Sequence, residues 1–327
     1  MVRATLRRAA LSVTACAAAL ALTAPAHAAD AYSAFTFSLG TSEPTIYNFI
    51  NSATKTLDMT MYELNDSTAV SDLVSAQKRG VQVRVILDAK ETTTNKSAYS
   101  TLQKAGVGVV WSSSQYVYTH QKTITVDGDE SLILTGNLTS KYYPTSRDYG
   151  VFDTDAADVA AIEQVFEADY TGASVTPSDG DNLLWSPTDS RDRLLSVING
   201  ATTSLDVEEE ELSDSAVVDA LAAQAEAGVT VRVVVENPSS YSSEIAEIEQ
   251  AGGTVVGYSS STGFYVHAKT IVADYGLPTA KVEVGSMNIS SNSLDNNREL
   301  GIILTDSGVE SVVENSFDSD YAGGNPA

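Results

Sequence analysis

Cysteine is all but missing from this chain, and the single one, Cys16, lies in an N-terminal stretch expected to be removed. The remainder can have no disulfide framework, no thiol nucleophile and no cysteine-ligated zinc, so packing must supply its stability. Basic residues are scarce too: 19 lysines and arginines stand against 43 acids, a formal net charge of −24. That balance argues against a broad nucleic-acid surface, which needs clustered lysine and arginine, although it does not describe a local pocket. Long apolar runs are absent beyond the N-terminus, so no later segment approaches membrane-spanning length. Histidine is nearly absent as well, with three in 327 residues.

The first 28 residues carry the pattern of a secretory signal. Arg3, Arg7 and Arg8 form a basic start, 9–22 form an apolar stretch, and Ala26-His27-Ala28 is a small-x-small cleavage site. Arg7-Arg8 raises a twin-arginine route, but the flanking residues fit it poorly. The expectation is a secreted protein cleaved near Ala28, leaving 16 basic and 43 acidic residues, a net charge of −27.

What remains is a duplication. LDMTMYELNDSTAVSDLVSAQKRGVQVRVILDA at 57–89 aligns without gaps with LDVEEEELSDSAVVDALAAQAEAGVTVRVVVEN at 205–237, at an offset of 148. Each copy runs from a short apolar strand into a capping pair, Asn65-Asp66 or Ser213-Asp214. A helix follows, ending at Gly80 or Gly228, then a Val/Ile-rich strand. Such β-α-β units with continuous apolar strands suit a buried parallel sheet. The expected architecture is α/β: two pseudo-twofold-related α/β/α halves, each around a mixed, largely parallel sheet. The linker falls near 171–181, which divides the chain into a signal peptide at 1–28 and halves at 29–172 and 173–327.

Both histidines outside the leader sit in one repeated pattern. HQKTITVD gives His120, Lys122 and Asp127; HAKTIVAD gives His267, Lys269 and Asp274. On a strand, residues two apart share a face, so each motif presents an imidazole beside an ammonium. Asn137 and Asn288 follow on the far side of a turn. Brought together across a pseudo-twofold axis, the two motifs offer two proton-moving groups, two cations and two amide donors. A phosphodiester needs that set: cations for the phosphoryl oxygens, a nucleophile, and an acid for the leaving oxygen.

These residues resemble the phospholipase D superfamily, whose signature is His-x-Lys-x4-Asp followed by Gly-Ser-x-Asn. The second copy has Gly285-Ser286-Met287-Asn288, after a four-residue insertion in the turn. The first has Leu134-Thr135-Gly136-Asn137, with Thr135 in place of serine and Leu134 in place of glycine. The resemblance implies a duplicated phospholipase D/nuclease-like fold and a two-step mechanism that needs no metal or other cofactor. One histidine forms a phosphohistidine while the other protonates the leaving alcohol, then activates water or a second alcohol. By the same resemblance His120 is the nucleophile and His267 the acid and base. Lys122, Lys269, Asn137 and Asn288, with Thr135 and Ser286, are expected at the substrate phosphate. Asp148 and Glu299, each following a repeated arginine, are expected to orient the histidines. Asp127 and Asp274 are expected to stabilise turns rather than touch substrate.

Other features have plainer readings. Arg147 and Arg298 suit ion pairs as well as substrate contact. The run Glu208–Glu211 invites a cation site, but aligned with residues 60–63 it reads better as a strand end with one inward acid, Glu211. Tyr118, Tyr265, Tyr142 and Tyr143 can line a cleft or touch lipid. The expected activity is phospholipase D-type cleavage of a phospholipid headgroup, with transfer to alcohols as a variant and transient membrane-surface contact. A nuclease of the same mechanism is disfavoured by the acidity, so nucleic acid is not expected as a partner, and a lipid synthase related to cardiolipin synthesis is disfavoured because such enzymes usually carry membrane segments. A non-catalytic binding protein has only Leu134 in its support. Both half-sites on one polypeptide suit a monomer.

Overall fold

The computed structural model of the protein describes Met1 and residues 31–327, apart from positions 260 and 262. The expected signal peptide, Met1 aside, lies outside the described residues. In the first repeat, strand Thr56–Met61 leads to helix Ser67–Arg79 and strand Gln82–Leu87. Asp66 caps the helix, its carboxylate accepting from the amides of Thr68 at 2.8 Å and Ala69 at 3.2 Å. Gly80 ends it at φ 98°, a left-handed conformation open to glycine at little cost. The second repeat builds the same unit from Ser204–Glu209, Ser215–Glu226 and Thr230–Glu236, with Asp214 as cap.

Each copy then adds a hairpin whose first strand is the His-x-Lys motif. Lys122–Val126 turns into Glu130–Leu134, and Lys269–Ala273 into Lys281–Gly285. The result is one seven-stranded and one eight-stranded sheet, both mixed. Parallel pairing is confined to three strands at one side of each, Thr56–Met61, Gln82–Leu87 and Gly108–Trp111 in the first. Thr230–Glu236 pairs in parallel with its neighbours Ser204–Glu209 and Thr254–Tyr258 in the second. The expectation of largely parallel sheets is therefore corrected: the motif strands pair antiparallel on both sides. The reason is local, since a tight turn after Asp127 can only reverse the chain, whereas a helix crossover can restore its direction.

Helices cover the outer face of each sheet. Ile46, Leu73 and Leu102 pack on the first, and Leu194, Leu221 and Ile248 on the second. A third core lies between the sheets, where Ile133 and Val151 of one half meet Val284 and Ile302 of the other. Ile162 and Val165 of helix Ala156–Thr171 and Val309 and Val313 of helix Ser307–Gly323 complete it. Each such side chain contributes ~1.5–3 kcal/mol on full burial, which is how a cysteine-free fold holds. Residues 31–327 accordingly form one compact unit, with the sheets dividing the chain between Gly172 and Leu183.

The join between halves is reciprocal. Tyr265–Val266 pairs in parallel with Ser146–Arg147, and the equivalent bridge runs from Thr119 to Arg298. The His120 amide donates to the Arg298 carbonyl at 2.9 Å, and the His267 amide to the Arg147 carbonyl at 3.2 Å. Each histidine backbone is thus fixed by the opposite half.

Candidate active site

Both histidines open onto one cleft of about 220 Å³, lined also by Asn137, Asn288, Tyr62, Tyr265, Glu63 and Glu210. Each ring is oriented by a carboxylate from the other half. His120 Nδ1 lies 2.8 Å from Glu299 Oε2 and 3.1 Å from the Ser286 carbonyl. Neither acceptor can donate, so Nδ1 carries the hydrogen and Nε2 is left for the cleft. His267 Nδ1 lies 2.8 Å from Asp148 Oδ1, with the same consequence.

The carboxylates are anchored in turn. Glu299 is fully buried and accepts from the Asn297 amide at 2.9 Å and from the Ser293 hydroxyl. Burial alone would raise its carboxyl, but His120, Lys122 and Ser293 hold it below its ordinary value. Asp148 accepts from the Thr135 hydroxyl at 2.8 Å. Burial lowers the His120 pKa, with Lys122 and Lys269 in the same direction and Glu299 opposing, so the ring favours its neutral form.

Lys122 and Lys269 are buried beside their histidines, each donating to the carbonyl of the histidine two residues back at 2.6 Å. Their surroundings then diverge. Lys122 Nζ sits 5.2 Å from the Tyr62 ring centroid, and burial pushes it down to about 7 against the pull of Glu299. Lys269 Nζ donates to Glu210 Oε2 at 2.7 Å.

The asparagines differ as well. Asn137 Oδ1 accepts weakly from the Glu63 amide at 3.4 Å, while the buried Asn288 Oδ1 has no hydrogen-bond partner among the described residues. Thr135 and Ser286, expected at the phosphate, are fully buried and point elsewhere. Thr135 holds Asp148, and Ser286 exchanges bonds of 3.3–3.4 Å with the Leu300 backbone. Their place in the site is one step behind the histidines, which corrects the sequence reading. Gly136 is required where it stands, because a Cβ there would meet the Asp148 carboxyl carbon at 2.6 Å. Leu134 packs in the first core opposite Gly150, so the missing motif glycine leaves the backbone path intact.

The motif aspartates lie away from the cleft, at the far ends of their strands. Asp127, at φ 56°, accepts from the amides of Thr54, Lys55 and Thr56 and from the Thr54 hydroxyl. Asp274, at φ 57°, does the same with Thr202, Thr203 and Ser204. Arg147 and Arg298 pair with Asp320 and Asp169 rather than facing the cleft. In the acidic run, Glu208 is buried and accepts from the Tyr149 hydroxyl at 2.7 Å, and Glu209 is buried beside it. Glu211 lines the cleft, as expected of an inward acid, but the acid that contacts the motif residues is Glu210. Its signal was available: at the offset of 148 it stands opposite Tyr62, a change of chemistry at an equivalent position. Among the described residues no group of histidines and acids is arranged to hold a metal ion.

Two crossed histidine–carboxylate pairs with two lysines, at the junction of two repeated α/β halves, define a phospholipase D-like enzyme core. The chain belongs to that family: the model described as "Cardiolipin synthase, PLD-like domain" matches residues 46–170 and 194–321. A cardiolipin synthase of Oceanobacillus iheyensis is 25% identical over 291 residues, 76% of this chain and 59% of that protein. The solved phosphatidylserine synthase of Haemophilus influenzae Rd KW20 superposes at TM-score 0.69 with 13% identity, over 89% of this chain and 86% of that one. The polyphosphate kinase of Porphyromonas gingivalis gives TM-score 0.70 with 16% identity, over 88% and 46%. The chain spans 25–59% of the length of the cardiolipin synthase relatives it matches. No helix among the described residues is long and apolar enough to cross a membrane.

Proposed function

We propose that this protein is a metal-independent phosphodiesterase that cleaves the headgroup linkage of phospholipids through a phosphohistidine, and that it is exported by way of residues 1–28. The observation that carries the reading is the crossed pairing, His120 with Glu299 and His267 with Asp148, which frees two Nε2 atoms for one cleft beside two lysines. His120, kept neutral by burial, suits the nucleophile. His267 has a carboxylate on each side, Asp148 at Nδ1 and Glu210 3.6 Å from Nε2, the surroundings of a proton donor.

In the first step His120 Nε2 bonds to phosphorus, the phosphorus–headgroup oxygen bond breaks, and His267 gives its proton to that oxygen. In the second, His267 takes a proton from water, whose oxygen displaces His120 and leaves a phosphomonoester. An alcohol in place of water gives transfer by the same chemistry. The names of the relatives, cardiolipin synthase and phosphatidylserine synthase, support a phospholipid substrate and keep transfer open.

The test is headgroup release from phosphatidylcholine vesicles in EDTA, beside a plasmid-nicking assay. The expected result is release without nicking, reduced by at least about 10³-fold in His120→Ala and in His267→Ala. Nicking without release would overturn the lipid reading, and release that survives both substitutions would overturn the mechanism.

A further inference from the structure

Tyr62 and Glu210 occupy equivalent places in the two repeats and treat their lysines differently. Lys122 faces an aromatic ring, and among the described residues no carboxylate lies within ion-pair distance of its Nζ. Lys269 instead donates to Glu210 Oε2 at 2.7 Å. The same oxygen lies 3.6 Å from His267 Nε2, the nitrogen left for the cleft. Oε1 of Glu210 accepts from the Tyr265 hydroxyl, which fixes the carboxylate in place. It therefore spans the lysine and the histidine that a phosphoryl oxygen has to reach.

Glu210 is charged there. Burial would raise its pKa, but Lys269, His267 and Tyr265 hold it well below the ordinary carboxylate range. Glu63 and Glu211 line the same cleft.

We infer that Glu210 is a built-in counter-anion of the phosphate site, which admits singly charged phosphodiesters and disfavours the doubly charged phosphomonoesters that hydrolysis yields. A phosphodiester carries one negative charge, whereas a monoester near neutral pH carries about 1.5 to 2. Two buried lysines without a counter-charge would hold the more highly charged ion more tightly and so retain product. A carboxylate in contact with one lysine removes that preference, because its repulsion grows with the charge of the ligand. The site that results binds substrate with Lys122 unpaired and releases product against Glu210. The role as product brake rests on the phosphodiesterase reading; the preference between the two anions does not.

Calorimetric titration of the whole protein at pH 6.5, where Lys122 keeps its charge and methyl phosphate is already mostly doubly charged, with dimethyl phosphate and with methyl phosphate tests this. Wild-type protein is expected to bind methyl phosphate no more tightly than dimethyl phosphate. In Glu210→Gln, methyl phosphate should tighten by about tenfold or more and dimethyl phosphate by less than about threefold. A wild-type preference for methyl phosphate of about tenfold would overturn the inference, and that ratio is read without any variant. Equal tightening of both anions, or binding of neither to wild type and variant, would overturn it too. A protein that shows the expected anion preference yet releases no headgroup would overturn the lipid reading and leave this one standing.

Discussion

A histidine held through Nδ1 by a buried carboxylate keeps one tautomer and one ring plane, and its Nε2 can then act on a substrate without reorganising. Asp148→Asn and Glu299→Gln keep the shape of these pairs but remove the charge that supports an imidazolium. Each is expected to lower kcat by about 10²–10⁴ while KM changes little, as for the aspartate of a serine-protease triad. Steady-state kinetics on folded variants checks this, and a kcat within about threefold of wild type would remove these carboxylates from the mechanism. Lys122 gives a second prediction. Burial pushes its pKa down to about 7, so its charge is present below that pH and lost above it. Substrate affinity should follow, with KM rising about tenfold between pH 6.5 and 8.5 as the free enzyme loses a phosphate-binding cation. Lys122→Arg, which stays charged throughout, should flatten that rise. These first-rank residues were legible because histidine is so rare here. Thr135 and Ser286 were legible as motif letters only, since nothing in the spelling of a motif says that a hydroxyl faces a carboxylate or a backbone carbonyl rather than the substrate.

At the scale of the element, the hairpin corners and strand ends decide what the motif residues do. Asp127 gathers three amides and a hydroxyl from the neighbouring strand at a left-handed corner, and so ties the end of the motif strand to Thr54–Thr56. Burial would raise its carboxyl, but the Thr54 hydroxyl and the amides of Lys55, Thr56 and Thr54 hold it down to about 2. A depressed carboxyl stabilises the fold above its unfolded value and loses that contribution as pH falls through its folded value. The Asp127 share should therefore disappear between about pH 4 and pH 2. Asp127→Ala is expected to cost about 1–3 kcal/mol at pH 7, little below pH 2, with kcat of the folded protein unchanged within about twofold. Urea midpoints across that range measure it; an equal cost at every pH would refute the linkage. The caps Asp66 and Asp214 and the glycine stops could be read from the repeat because each is a local rule. Glu210 could not be assigned by counting, since strand Ser204–Glu209 ends just before it and alternation of faces stops where the strand does.

Across the whole molecule, the site exists only because the halves exchange partners. His120 takes its carboxylate from the second half and His267 from the first, and the repeated arginines follow the same rule. Arg298 is almost wholly buried, with Nε 2.9 Å from Asp169 of the first half. Arg147 pairs in the same way with Asp320 of the second half. The duplication was legible in the alignment of 57–89 with 205–237; the crossing was not, because sequence separation carries no record of which copy a side chain turns toward. Arg298→Met should leave the partly buried Asp169 without a counter-charge, and desolvation already raises that carboxyl against the pull of Arg298. Breaking one side of such a pair costs about 3–5 kcal/mol, whereas replacing both partners with apolar side chains is far milder. The double variant Arg298→Met/Asp169→Leu should therefore recover most of the loss in urea or thermal unfolding. The Arg298 carbonyl also receives the amides of His120 and Gln121, so the single variant should lose activity along with stability. The deficit should shrink as pH is lowered toward 5, where an unpaired Asp169 protonates and its burial no longer isolates a charge. A single variant costing less than about 1 kcal/mol, or a double variant no more stable than the single, would mean that the arginine pairs do not hold the halves in register, and the crossed histidine–carboxylate contacts would have to do so alone.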